Sequence, residues 1–100
     1  MNKNKKNSVM IDFQDYLKKE LRNPKFKKYY NEHGKQLEIA YQILKLRKKK
    51  KISQAQLAKK IGTKQSNIAR MEAGQQNFSV DILGKIAGAL GCNVKIMFCR

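Results

Sequence analysis

Between Lys64 and Arg70 the chain reads KQSNIAR, and four of these side chains, Gln65, Ser66, Asn67 and Arg70, carry hydrogen-bonding groups and little to pack. Gln and Asn amides set a donor beside an acceptor, and Arg presents a planar fork of donors. These shapes match the base edges in a DNA major groove. Arg70 suits guanine and Gln65 suits adenine, while Ser66 is short enough to let the backbone come close. Such residues read sequence only if one rigid element carries them on one face. Turning a helix by about 100° per residue from Ile68 puts Met71 and Glu72 beside it, on the inward side. Ser66 and Arg70 then fall almost opposite, with Ala69 next to them and Gln65 at the exposed, electropositive N-terminal turn. The competing reading is the solvated face of an ordinary amphipathic helix, and the flanking signals decide against it.

Those signals build a corner. Ser53-x-x-Gln56 is a capping box, with Ile52 and Leu57 at the two positions of a hydrophobic staple. The helix they start buries Leu57, Ala58 and Ile61 and stops at Gly62, a residue able to adopt the left-handed conformation. Thr63 is placed to cap the next helix, which continues to Glu72 and ends at Gly74. Two short helices about a tight glycine-containing turn make a helix-turn-helix. In that arrangement the first helix crosses the phosphates, and Gln54 at its N-terminus is placed to donate to one of them. A polar loop, QQNF, then leads to Ser79 as an N-cap, with Asp81 in the first turn. Ile82, Leu83, Ile86, Ala87 and Leu90 form the core face of this last helix, which Gly91 stops.

Four segments follow from the pattern: a disordered basic arm over 1–8, an N-terminal helical segment over 9–37, the helix-turn-helix DNA-binding domain over 38–91, and a C-terminal dimerisation strand over 92–100. In the second segment Phe13, Tyr16, Leu17 and Leu21 share a face, with Asp12 available as a cap. Asn23 before Pro24 opens another helix, along which Phe26, Tyr29 and Tyr30 form an aromatic stripe. Gly34 either ends that helix or sits within a longer one at a cost of about 1 kcal/mol. The run KQLEIAYQILKLRKK is helical, with an apolar face broad enough for contacts on two sides. At the end, NVKIMF alternates Val94, Ile96 and Phe98 with Lys95 and Met97, which predicts a strand. The chain has no second one, so the simplest partner is the same strand of another subunit. The predicted architecture is all-α, with five or six helices and one short C-terminal β-strand.

Composition narrows the partners. With 23 Lys+Arg against 7 Asp+Glu the formal charge is +16, which favours polyanions. AT-rich codons also write lysine, so the run of Lys48 to Lys51 is either a DNA-facing patch or cations favoured by a helix C-terminus whatever the function. No apolar run nears the roughly 18 residues of a membrane span. The basic N-terminus has no apolar core of a signal peptide, and a cytoplasmic protein is expected. Cys92 and Cys99 lack a second Cys or His pair, so reduced thiols are expected and zinc is not. His33 is isolated, the acids are scattered, and the glycines cap helices instead of cradling phosphates. No catalytic centre, metal or cofactor is expected; the best enzyme alternative on charge grounds is an RNA-binding or nuclease role.

The segment ISQAQLAKKIGTKQSNIARMEAG resembles the XRE or phage-repressor-like helix-turn-helix family, whose pattern runs Gln, Leu-Ala, Gly, Ile, then Glu-x-Gly. Gln54, Leu57, Ala58, Gly62, Ile68, Glu72 and Gly74 match it, as does the ALG that ends the following helix. The resemblance covers about residues 38–91 and implies a lambda-repressor-like fold that binds double-stranded DNA. It implies DNA contacts from Gln54, Gln65, Ser66 and Arg70, phosphate contacts from Lys64 and Asn67, and a partly buried structural ion pair between Arg47 and Glu72. Lys50 departs from the family, which often has an apolar residue there. The segment DFQDYLKKELRNPKFKKYY is similar to the opening of HigA-like antitoxins of type II toxin–antitoxin modules. That narrower resemblance implies a homodimer that represses its own operon from a palindromic operator and neutralises a RelE/HigB-like ribonuclease toxin. Phe26, Tyr29 and Tyr30 would then belong to a toxin interface, or else pack onto the helix-turn-helix domain. The alternative is a stand-alone XRE-type transcriptional regulator with no toxin partner.

Overall fold

A computed structural model describes residues 13–100 of the chain. Five helices follow in order among the described residues: α1 over residues 13–20, α2 at Pro24–Lys49, α3 at Gln54–Ile61, α4 at Gln65–Glu72 and α5 at Val80–Ala89. The arm expected over 1–8 and the Asp12 cap lie outside the described residues. None of the helices described is long and apolar enough to cross a membrane.

Helix α2 is the spine. Asn23 caps it by accepting from the Lys25 amide at 2.9 Å, and Pro24 opens it, where a missing N–H costs nothing. Gly34 does not end it; one 26-residue helix runs through, bent at His33 (φ −130°, ψ 26°), and crosses the 37/38 boundary intact. Arg47, Lys48 and Lys49 fill its last turn, where the helix dipole favours cations. Its buried stripe of Ala40, Ile43 and Arg47 faces the rest of the chain. Ile43 joins Leu57, Ala58, Ile68, Met71, Ile86 and Leu90 in a single core, so α3, α4 and α5 all close on the second half of α2. Leu57 and Ile68 are 0% exposed, and full burial of such a side chain is worth about 1.5–3 kcal/mol.

Helix α1 also packs on α2, laying down Phe13 and Leu17, both buried. The rings of Phe13 and Tyr16 lie 5.3 and 5.4 Å from that of Tyr41, and Phe26 meets Tyr16 edge-on at 6.0 Å. Offset and edge contacts of this kind add to the area they bury.

The expected C-terminal β-strand is absent, and this corrects the predicted fold. Residues 92–100 have no regular secondary structure, and no strand occurs among the described residues. Alternation tells which side chains share a face, but a strand also needs a ladder partner for its N–H and C=O groups. This chain supplies none, so the segment leaves Val94, Ile96 and Met97 exposed and Phe98 99% exposed. A dimer built on that strand loses its basis with it.

Candidate nucleic-acid interface

The two helices of the motif meet at a corner made by one residue. Ser53 caps α3 by accepting from the Gln56 amide at 3.0 Å, while the Gln56 side chain accepts from the Ser53 amide at 2.8 Å. The helix ends at Gly62 in the left-handed region (φ 76°, ψ 40°), and the Thr63 amide folds back onto the Ala58 carbonyl at 2.9 Å. Thr63 does not cap α4. Lys64 is the N-cap residue and no side chain caps there; the Thr63 hydroxyl accepts from Asn67 instead.

Helix α4 has a sharply divided surface. Ile68 and Met71 are buried, while Gln65, Ser66, Ala69 and Arg70 are exposed, and Lys64 is exposed at its start. The expected readers therefore share one outward face. Asn67 is half-buried at its edge. Its Nδ2 donates to Thr63 Oγ1 at 2.7 Å, and its Oδ1 accepts from Arg70 Nη2 at 2.5 Å.

The C-terminal end of α4 is fastened to α2. Arg47 donates through Nε to Glu72 Oε2 at 2.6 Å and through Nη2 to Glu72 Oε1 at 2.9 Å, with Nη1 donating to the Ile52 carbonyl at 2.8 Å. The side chains are 10% and 4% exposed, so the pair is withdrawn from water. Hydrogen bonding to Glu72 holds the Arg47 guanidinium above its ordinary pKa, against the lowering effect of burial. Two parallel N–H···O bonds to one carboxylate fix geometry as well as charge.

That carboxylate also organises the surface. Gln54 Nε2 donates to Glu72 Oε1 at 3.0 Å, and Gln65 Nε2 reaches Gln54 Oε1 at 3.5 Å. The negative charge requires the NH2 side of Gln54 to face it, which turns the Gln54 oxygen toward Gln65. Gln54, expected as a phosphate donor, thus has one N–H committed to Glu72 and one left to reach outward.

Beyond Glu72 the chain leaves the helix through Gly74 at φ 71°, in the left-handed region. A Cβ there would lie 2.6 Å from Leu37 Cδ2, so the Leu37 side chain would have to turn aside, while its Cα stands at 3.5 Å. The Tyr29 hydroxyl donates to the Gly74 carbonyl at 2.5 Å, and the Gln36 amide donates to Asn77. Of the aromatic stripe, Tyr29 therefore serves this loop, and Phe26 stacks on Tyr30 with ring centroids 6.4 Å apart. All three are half-buried. His33 lies with its ring 4.5 Å from that of Tyr29.

Sequence reasoning missed the Thr63–Asn67–Arg70 chain and the Tyr29–Gly74 bond. The first carries a legible signal, since i, i+4 and i+3 spacings put the three side chains on one side of a helix. The second joins residues 45 apart and has none. Lys48, Lys49, Lys50 and Lys51 after α2, and Lys59 and Lys60 on α3, are all exposed and add to a positive field.

No curated protein and no solved structure matches the chain. A family model described as helix-turn-helix matches residues 43–96, from the second half of α2 through α5. It covers more than half of the sequence and contains both the Gly62 corner and the outward face of α4. The chain belongs to the helix-turn-helix family of DNA-binding regulators, XRE type.

Proposed function

We propose that the protein is a sequence-specific repressor that inserts α4 into the DNA major groove and reads bases with Gln65, Ser66 and Arg70. The observation that carries this reading is the exposed polar face of α4, held rigid from behind by Ile68, Met71 and the Arg47–Glu72 pair. Arg70 addresses guanine and Gln65 addresses adenine. Lys64 and the outer N–H of Gln54 meet phosphates, which sets register without specifying sequence. One helix of 8 residues spans few base pairs. A homodimer on a palindromic operator doubles the reading, with half-sites one turn apart at about 34 Å.

Selection of bound duplexes from a random pool tests the reading. Arg70→Ala should cost about 1–3 kcal/mol of specific binding and relax preference at one base pair. Lys64→Ala should weaken all sequences alike and lower the salt slope by about one unit. Equal loss on selected and random DNA for Arg70→Ala would refute direct readout by this residue.

The resemblance of residues 12–30 to HigA-like antitoxins supports a narrower role, autoregulation of a toxin–antitoxin operon and neutralisation of a RelE-like toxin. The internal contacts of Phe26, Tyr29 and Tyr30 favour the second reading, a stand-alone regulator whose N-terminal helices brace the loop after α4. Co-purification with a small basic protein encoded next to it, and rescue of growth from that protein, support the first. Failure of both leaves the second.

A further inference from the structure

We propose that Asn67 is a positioning residue for Arg70, fixed in turn by Thr63, and that it sets base preference instead of contacting phosphate. The inference rests on the reading of α4 as the helix that enters the groove. Asn67 is half-buried, and both ends of its amide are engaged within the chain. A cation cannot face an NH2 group, so the oxygen must point at Arg70 and the nitrogen at Thr63. The hydroxyl of Thr63 supplies the acceptor that this orientation needs, which accounts for its absence from the helix cap.

The consequence for reading lies in the guanidinium. It has two flat edges able to make paired hydrogen bonds, and both use Nη2. With one Nη2 hydrogen given to Asn67, one edge of the exposed Arg70 guanidinium stays whole. A long, free arginine loses rotamer entropy when it docks; one already held loses less. Asn67 thus selects which edge meets guanine and lowers the cost of presenting it. Ser66 and Ala69, exposed on either side, leave room for the base edge.

The test uses the full chain, the duplex preferred by the wild type, the same duplex changed at the base pair read by Arg70, and random duplex. Binding is followed by anisotropy over a range of salt. Asn67→Ala should reduce discrimination at that base pair about three- to tenfold, the effect of one hydrogen bond. It should leave random-duplex affinity and the salt slope unchanged, and add nothing in an Arg70→Ala background. Asn67→Asp keeps the acceptor for Arg70, with the Thr63 hydroxyl turned to donate, and should retain the base preference while weakening binding to every duplex. Thr63→Val should move the same base pair by a smaller factor. In the free protein, 15N relaxation should show the Arg70 Nε–H more mobile in Asn67→Ala than in wild type, a readout that needs no DNA and moves even if the groove reading fails. An unchanged Arg70, a loss of about one unit of salt slope, or effects that add to those of Arg70→Ala would overturn the proposal. A wild type with no preferred duplex would overturn the groove reading instead.

Discussion

Glu72→Gln keeps the shape of the side chain and removes one charge, so it isolates what the ion pair does. In the wild type, Glu72 accepts two bonds from Arg47 and one from Gln54, and its side chain is 4% exposed. The variant leaves a guanidinium, 10% exposed, facing a neutral amide whose oxygen can accept only part of the set. Removing one partner of a buried pair costs about 3–5 kcal/mol, and the retained acceptor argues for the lower end. A domain of this size has about 5–15 kcal/mol in all, so the loss is a large share of it. At about 4–8 °C per kcal/mol, the midpoint of thermal unfolding should fall by roughly 12–24 °C. The double variant Arg47→Met/Glu72→Leu replaces charge with volume and should recover most of that stability. It cannot restore the acceptor for the Gln54 amide, so its DNA affinity should stay about three- to tenfold below wild type. Urea and thermal unfolding followed by circular dichroism read the first effect, and anisotropy with the selected duplex reads the second. If Glu72→Gln unfolds within about 1 kcal/mol of wild type, the pair does not hold α4. If the double variant binds DNA as tightly as wild type, Gln54 does not depend on the carboxylate.

Two glycines separate backbone strain from packing. Gly62 and Gly74 both have φ above 70°, but a Cβ at Gly62 meets nothing within 4 Å while one at Gly74 meets Leu37 at 2.6 Å. Gly62→Ala should therefore cost about 1 kcal/mol, from the left-handed backbone alone, and Gly74→Ala about 0.5–1.5 kcal/mol more, from forcing the Leu37 side chain off its rotamer; equal losses in urea unfolding would show that Leu37 makes way at no cost. Tyr16 titrates above its ordinary value of 10.0, first through burial and then through Glu20 and Tyr41. The folded state holds that proton more tightly, so its contribution is complete below the unfolded value and is lost as pH rises through the folded one. Stability should fall more steeply above about pH 10 in wild type than in Tyr16→Phe, with tyrosinate absorbance as the monitor; matching slopes would remove Tyr16 as the cause.

What the sequence made legible was what few residues decide. The Ser53–Gln56 box, the Asn23–Pro24 start, the Ser79 cap and the left-handed Gly62 each depend on neighbours within a turn, and all four stand as read. The division of α4 into Ile68 and Met71 inside, Ser66 and Arg70 outside, follows from one angle per residue. Thr63 shows the limit of local reasoning: a hydroxyl just before a helix has two possible partners, the backbone or Asn67, and cap statistics name only the first. Gly34 shows another. Its cost inside a helix is about 1 kcal/mol, and contacts of Tyr29, Leu37 and Gln36 with the loop at 74–77, far away in sequence, outweigh it. The C-terminal strand failed for a related reason, because periodicity describes faces and is silent about who supplies the ladder.

These far contacts converge on α4, and physical necessity explains why. A helix of 8 residues is too short to persist in water by its own hydrogen bonds. Its outward face, with Gln65, Ser66, Ala69 and Arg70 exposed, adds little to packing. Rigidity must therefore be imported from behind and from both ends. Ile68 and Met71 supply it from behind, and the Gly62 corner fixes the N-terminus. At the C-terminus the Arg47–Glu72 pair and the Tyr29–Gly74 bond tie the helix to opposite halves of α2. The same Glu72 then passes order forward through Gln54 to Gln65, while Thr63 and Asn67 do so for Arg70. Side chains held in advance lose less freedom on binding, so under the proposed groove reading the buried ion pair and the base preference are two ends of one arrangement.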